Sequence, residues 1–115
     1  MEAVLDDDGV LRACKASGHA GAGKKGTDIV CAAVSVLMRT ALGVLSGREG
    51  VVVRGGAPEP GSLWMEADYT AEGSNALHSR EFLSATGVFL LEGLKSVAQE
   101  YPENCRVIIR TLRRI

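Results

Sequence analysis

Thr27-Asp28-Ile29-Val30-Cys31-Ala32-Ala33-Val34-Ser35-Val36-Leu37-Met38-Arg39-Thr40-Ala41-Leu42-Gly43-Val44-Leu45-Ser46 is the segment around which the rest of the chain must pack. From Ile29 onward its only charged residue is Arg39. The spacing predicts a helix over residues 29–45, with Thr27 or Asp28 as N-cap and Ser46-Gly47 as the stop. Ile29, Val30, Ala33, Val36, Leu37, Leu42, Val44 and Leu45 cover its whole circumference, whereas a surface helix carries a single apolar stripe. Such a helix needs cover on more than one face: a sheet on one side, and a second helix or a partner subunit on another.

The flanking sequence supplies those layers. Downstream, Val51-Val52-Val53 reads as a short strand, residues 55–61 as a Gly/Pro turn, and Ser62 to Tyr69 as a strand with Leu63, Met65 and Ala67 on one side. Ser79 to Tyr101 repeats Leu83, Gly87, Leu90, Leu94 and Val97 at helical spacing until Pro102 stops it. Gly87 and Gly93 each cost that helix about 1 kcal/mol relative to alanine, which close backbone contact with another element would offset. Arg106 to Leu112 reads as a last strand, and Arg113-Arg114-Ile115 as a basic tail. Upstream, residues 1–5 and 10–16 flank Asp6-Asp7-Asp8-Gly9 as a hairpin, Asp8-Gly9 supplying the positive φ angles of a tight turn. The expectation is one α+β domain spanning residues 1–115, in the order β-β-α-β-β-α-β, with two helices packed on a largely antiparallel sheet.

Bulk properties narrow the function. The chain has 115 residues, 46% of them hydrophobic, and a formal net charge of -1. A domain of this size buries roughly two-thirds of its unfolded surface, enough for one core. Near-zero charge removes the broad electrostatic drive toward nucleic acid, so no strong nucleic-acid binding is expected. The longest apolar run, Ile29 to Met38 broken by Ser35, is short of the ~20 residues that cross a bilayer, so no membrane span is expected. Residues 1–8 are acidic where a secretory signal is basic and then apolar, which points to the cytoplasm. Cys14, Cys31 and Cys105 lie far apart without a CxxC pair, so neither a disulfide framework nor a zinc site is suggested.

Residues 17–26 form a glycine-rich loop leading into the first helix, with three readings. Gly18 to Lys24 matches the first seven positions of a phosphate-binding P-loop, but Lys25 stands where the magnesium-binding hydroxyl belongs. Gly21, Gly23 and Gly26 spell GxGxxG, yet Arg12 and Lys15 interrupt the preceding strand, and Arg54 follows Val53 where a dinucleotide site wants an acid. The third reading pairs His19 with Cys31. A thiol at the end of a first helical turn is favoured as thiolate by the helix dipole. Imidazole within reach of it can accept the proton and return it to a leaving amine. Against this stands the ordinary fate of free cysteine as a small buried hydrophobe. Cys14 and Cys105 read as strand packing residues, and His78 as a residue that caps the second helix or faces water.

Ser17-Gly18-His19-Ala20 and, after the loop, Gly26-Thr27-Asp28-Ile29-Val30-Cys31-Ala32-Ala33-Val34-Ser35 resemble the ribosomal-processing cysteine proteases of bacteria. The similarity continues through Gly93-Leu94-Lys95-Ser96-Val97-Ala98 and Tyr101-Pro102-Glu103. It implies Cys31 as nucleophile, His19 as general base and Asp28 as the family's aspartate, orienting His19 or capping the helix. Ser35, four residues on and on the same helical face, hydrogen-bonds beside the site or satisfies the helix, the structural role being favoured. Gly18, Gly21, Gly23 and Gly26 would let the loop open and close over an extended peptide. Lys24-Lys25 is more basic than the family's loops. The implied substrate is the short N-terminal extension of large-subunit ribosomal protein number twenty-seven. The implied assembly is a homodimer, with no cofactor and no metal. The competing reading is a non-enzymatic ribosome-assembly or RNA-binding factor using the loop and Arg110, Arg113 and Arg114.

Overall fold

The computed structural model describes residues 1–17, 27–57, 62–70, 73 and 76–112. Seven elements follow in the expected order: β1 (Glu2–Leu5), β2 (Leu11–Ser17), α1 (Thr27–Ser46), β3 (Val51–Gly56), β4 (Ser62–Tyr69), α2 (Ala76–Glu100) and β5 (Ile108–Thr111). The strands form one sheet in the order β3-β4-β2-β1-β5. Every neighbour is antiparallel except β1 and β5, which run parallel. These directions make each helix a crossover, α1 from β2 to β3 and α2 from β4 to β5, and both lie on the same face of the sheet.

The β1–β2 turn is built by Asp6 and Gly9 rather than by the Asp8-Gly9 pair. Gly9 alone takes a positive φ, 81°. Its N–H donates to the Asp6 carbonyl at 3.0 Å. The Asp6 carboxylate accepts from the N–H groups of Asp8 and Val10 at 2.9 and 3.0 Å. Beyond the turn Leu5 pairs with Leu11 but Val4 with Ala13, leaving Arg12 as a bulge. The extra residue puts Leu11 and Cys14, three apart, on the same buried face. Arg12 is left on the open face, with Nη1 2.9 Å from Asp68 Oδ1.

Val30, Val34, Met38, Ala41 and Leu45 of α1 face the sheet, joining Leu83, Leu90 and Leu94 of α2 and Ala3, Cys14, Met65 and Ala67 of the strands in one core. Segment Ile29–Ser46 has a mean hydropathy of 2.0 and passes the length and composition test for a membrane span. Counting unbroken runs missed this, because one Arg39 ends a run without lowering the average much. Its buried stripe is the domain's own core. On α2, a Cβ at Gly87 would stand 2.7 Å from Leu11 Cβ, and one at Gly93 2.9 Å from Leu37 Cδ2, the close approaches expected of both glycines.

Four boundaries depart from expectation. α1 opens at Thr27, so Thr27 and Asp28 lie in its first turn. β3 runs on through Gly55 and Gly56, which pair with Met65 and Trp64 instead of forming the turn. α2 starts at Ala76; Ser79 is buried, its hydroxyl donating to the Glu49 carbonyl at 3.3 Å, and His78 is exposed within the helix. Cys105 is buried in the turn after α2, its N–H bonded to the Tyr101 carbonyl, and not on a strand, because β5 begins only at Ile108.

Candidate active site

The topology brings the start of α1 to one rim of the sheet. β2 ends at Ser17, which pairs with Ser62 at the beginning of β4, and α1 starts ten residues later. α1 then runs back against the direction of β3, which it meets through residues 47–50. Cys31 therefore lies near the carboxyl ends of β2 and β3, the edge where crossover α/β layers place their sites.

Around α1, Leu37 marks the flank that meets α2, and Val34 and Met38 the stripe that meets the sheet. Cys31, Ser35 and Leu42, spaced by four and seven residues, share the opposite flank, above the outermost strand β3. Leu42 fixes this placement: a Cβ at Gly55 would lie 2.9 Å from its Cδ2. Cys31 and Ser35 are half-buried. Cys14, at 1% exposure, has its thiol pushed up to about 11 by burial, the N-terminal ammonium pulling weakly the other way. Burial also raises Cys105, with the same weaker opposition. The three free cysteines thus divide into two sequestered thiols and one partly open at the start of a helix.

His19, Gly18, Gly21, Gly23 and Gly26, with Lys24 and Lys25, lie outside the described residues, as does the side chain of Asp28. A groove of about 710 Å³ lined by Val4, Arg12, Val52, Arg54, Glu66 and Tyr69, among others, opens on the far face of the sheet from Cys31. Ion pairs occupy that face, Arg54 to Glu66 at 2.7 Å and Arg110 to Glu2 at 3.4 Å. Sequence reasoning did not see that Gly55 and Leu42 shape the edge beneath the Cys31 flank. Double glycine suggests a turn, and only the β4 pairing shows otherwise.

A match to a family of cysteine peptidases makes the chain a hydrolase of peptide bonds. A family model described as cysteine protease Prp matches residues 2–106, and the chain belongs to that family. Among solved structures it is similar to SMU.848 from Streptococcus mutans, at 27% identity and TM-score 0.74, over 96% of this chain and 92% of that one. It is also similar in fold to the ribosomal processing protease Prp from S. aureus in complex with a substrate peptide, at 21% identity and TM-score 0.72, over 95% of this chain and 96% of that one. The same protease with a covalently linked product peptide gives 20% identity and TM-score 0.65, over 96% of each chain. No curated protein sequence matches significantly.

Proposed function

We propose that this chain is an endopeptidase that removes the short N-terminal extension of large-subunit ribosomal protein number twenty-seven, with Cys31 as nucleophile and His19 as general base. The observation that carries the reading is the position of Cys31, partly open on the opening turns of α1 while both other thiols are buried. The S. aureus relative described with a substrate peptide and with a covalently linked product supports the substrate class.

In this mechanism His19 takes the thiol proton as sulfur attacks the scissile carbonyl carbon, and free N–H groups at the start of α1 receive the developing oxyanion. Collapse breaks the C–N bond, His19 returns the proton to the leaving amine, and water then hydrolyses the thioester. No metal or cofactor takes part. Asp28 orients His19 or strengthens the helix start, Ser35 supports the flank beside the thiol, and Gly18, Gly21, Gly23 and Gly26 let the loop admit the peptide. The working place is the cytoplasm, where ribosomes mature.

The assembly is a homodimer. Its support is apolar surface left bare by both layers: Ile29, Val36 and Val44 on α1 and Phe89 on α2 are all exposed. A single copy leaves the third face of α1 uncovered.

The test is incubation of the protein with the organism's own ribosomal precursor, read by mass spectrometry. Shortening of the precursor, abolished by Cys31→Ala and by His19→Ala in folded protein, is the expected result. Continued cleavage by Cys31→Ala overturns the mechanism. Salt-sensitive RNA binding that survives Cys31→Ala, without any cleavage, would favour the assembly-factor reading.

A further inference from the structure

We infer that the free edge of β3 is the docking strand for the substrate, which adds to the sheet as an extended peptide and is thereby led to Cys31. The inference rests on the peptidase reading above and specifies how that site holds its chain.

Among the described residues β3 is the last strand on its side of the sheet. The Thr70 N–H donates to the Gly50 carbonyl at 2.8 Å, which sets the phase of the β3–β4 ladder. In an antiparallel pair alternate residues turn both backbone groups toward the partner. Val52, Arg54 and Gly56 therefore face β4, while Val53 and Gly55 turn their N–H and C=O groups outward. Val51 turns its carbonyl outward as well, its N–H being taken by the Arg48 carbonyl at 3.2 Å.

An edge of this kind is usually blunted by proline, lysine, a bulge or a covering loop. β3 contains neither proline nor lysine, and its register with β4 is continuous over all six residues. Its one charge, Arg54, is paired across the open face with Glu66. Above the edge stands the α1 flank carrying Leu42, Ser35 and Cys31. Leu42 packs onto Gly55, and Cys31 lies eleven residues back along the helix, roughly 16 Å at helical rise. An extended peptide covers that length in about five residues. A chain hydrogen-bonded to Val53 and Gly55 thus reaches the thiol about five residues beyond its contact with Gly55. This geometry selects a long, unfolded segment, the chemistry of a ribosomal protein tail, over a short or folded one.

The experiment uses a fluorescein-labelled peptide covering residues on both sides of the precursor's processing point, long enough to reach β3. A series of such peptides carries one backbone N-methyl group at each position in turn. Anisotropy gives binding and chromatography gives cleavage. Strand addition predicts a two-residue period, with N-methylation at alternate positions raising Kd and KM at least tenfold and the intervening positions changing them less than twofold. Val53→Pro deletes one outward N–H without touching the β4 ladder, and it should raise KM at least tenfold where Val53→Ala raises it less than threefold. If Val53→Pro fails to fold, the N-methyl series on the unaltered protein still decides.

A flat series, absence of peptide binding, or an unchanged KM in folded Val53→Pro overturns the inference. So does a Val53→Pro protein that loses self-association but keeps its peptide, since a second copy then owns the edge. A peptide that binds with the two-residue period yet stays intact leaves the docking strand standing and removes the peptidase reading. Cys31-dependent cleavage without the period does the reverse.

Discussion

Gly87 of α2 and the Cβ of Leu11 in β2 meet so closely that an alanine methyl at position 87 would stand 2.7 Å from that carbon. The neighbour is the root of a fully buried side chain and has little room to give. Gly87→Ala gains about 1 kcal/mol of helix propensity but adds overpacking of about 2–3 kcal/mol, for a net loss of about 1–2 kcal/mol. At Gly93 the obstacle is the methyl end of half-buried Leu37, which can turn aside. Gly93→Ala should therefore leave stability nearly unchanged. Urea denaturation of both variants checks the contrast, and equal losses would contradict it.

Iodoacetamide should distinguish the three thiols. Cys14 and Cys105 are at 1% and 8% exposure and are held protonated by burial, while Cys31 is partly open on α1. Native protein at neutral pH should take up one carbamidomethyl group per chain, at Cys31, at least tenfold faster than at the other two. Peptide mapping after timed quenching reads this directly. Equal labelling in folded protein would contradict the division of thiols.

Alkaline stability should report on Cys14. Burial lifts its thiol from 9.0 to about 11. Below pH 9 the thiol is protonated in both states and contributes no pH dependence. Above that the unfolded chain gives up its proton first, so unfolding releases a proton and stability falls until the folded thiol ionises near 11. Two units correspond to about 2–3 kcal/mol. Subtracting the Cys14→Ala curve of unfolding free energy against pH from that of the unaltered protein should isolate this decline. Parallel curves between pH 9 and 11 would refute it.

How far the sequence carries this protein depends on where each signal resides. Helix periodicity and strand alternation are local, so the order of elements and the packing glycines at 87 and 93 were legible. The thiol and histidine motifs were legible by their resemblance to the family. Strand order is a tertiary property, and nothing near Val51 announces that β3 is the outer strand. Gly55-Gly56 has turn composition, yet it continues the strand because Leu42 descends onto position 55 and the Trp64 indole lies over position 56. Ser79 has the composition of a helix start, yet it sits inside α2 as a tie to the α1–β3 turn. The Arg12 bulge follows from register with β1, which periodicity within β2 cannot show.

The exposed face of the two helices bears on assembly. α1 and α2 run antiparallel: Leu37 meets Gly93 in mid-helix, and Arg48, just past the end of α1, lies 4.3 Å over the Phe82 ring near the start of α2. Phe89, one turn before Gly93, therefore stands on the shoulder of α2 next to α1, 73% exposed, with Val36 and Val44 exposed on α1 at 63% and 48%. Large apolar side chains left exposed on both helices are the raw material of an interface, and the aromatic one is the expected anchor. Phe89→Asp and Val36→Asp place a charge where a second copy would have to desolvate it. Each should weaken the proposed dimer at least 100-fold, about 3 kcal/mol, in sedimentation equilibrium. Neither touches the buried stripe of its helix, so thermal unfolding of the monomer should stay cooperative. Cys31 lies on another flank of α1, so dimeric Phe89→Asp and Val36→Asp proteins with unaltered affinity would show that these helices are not the interface, whatever their activity.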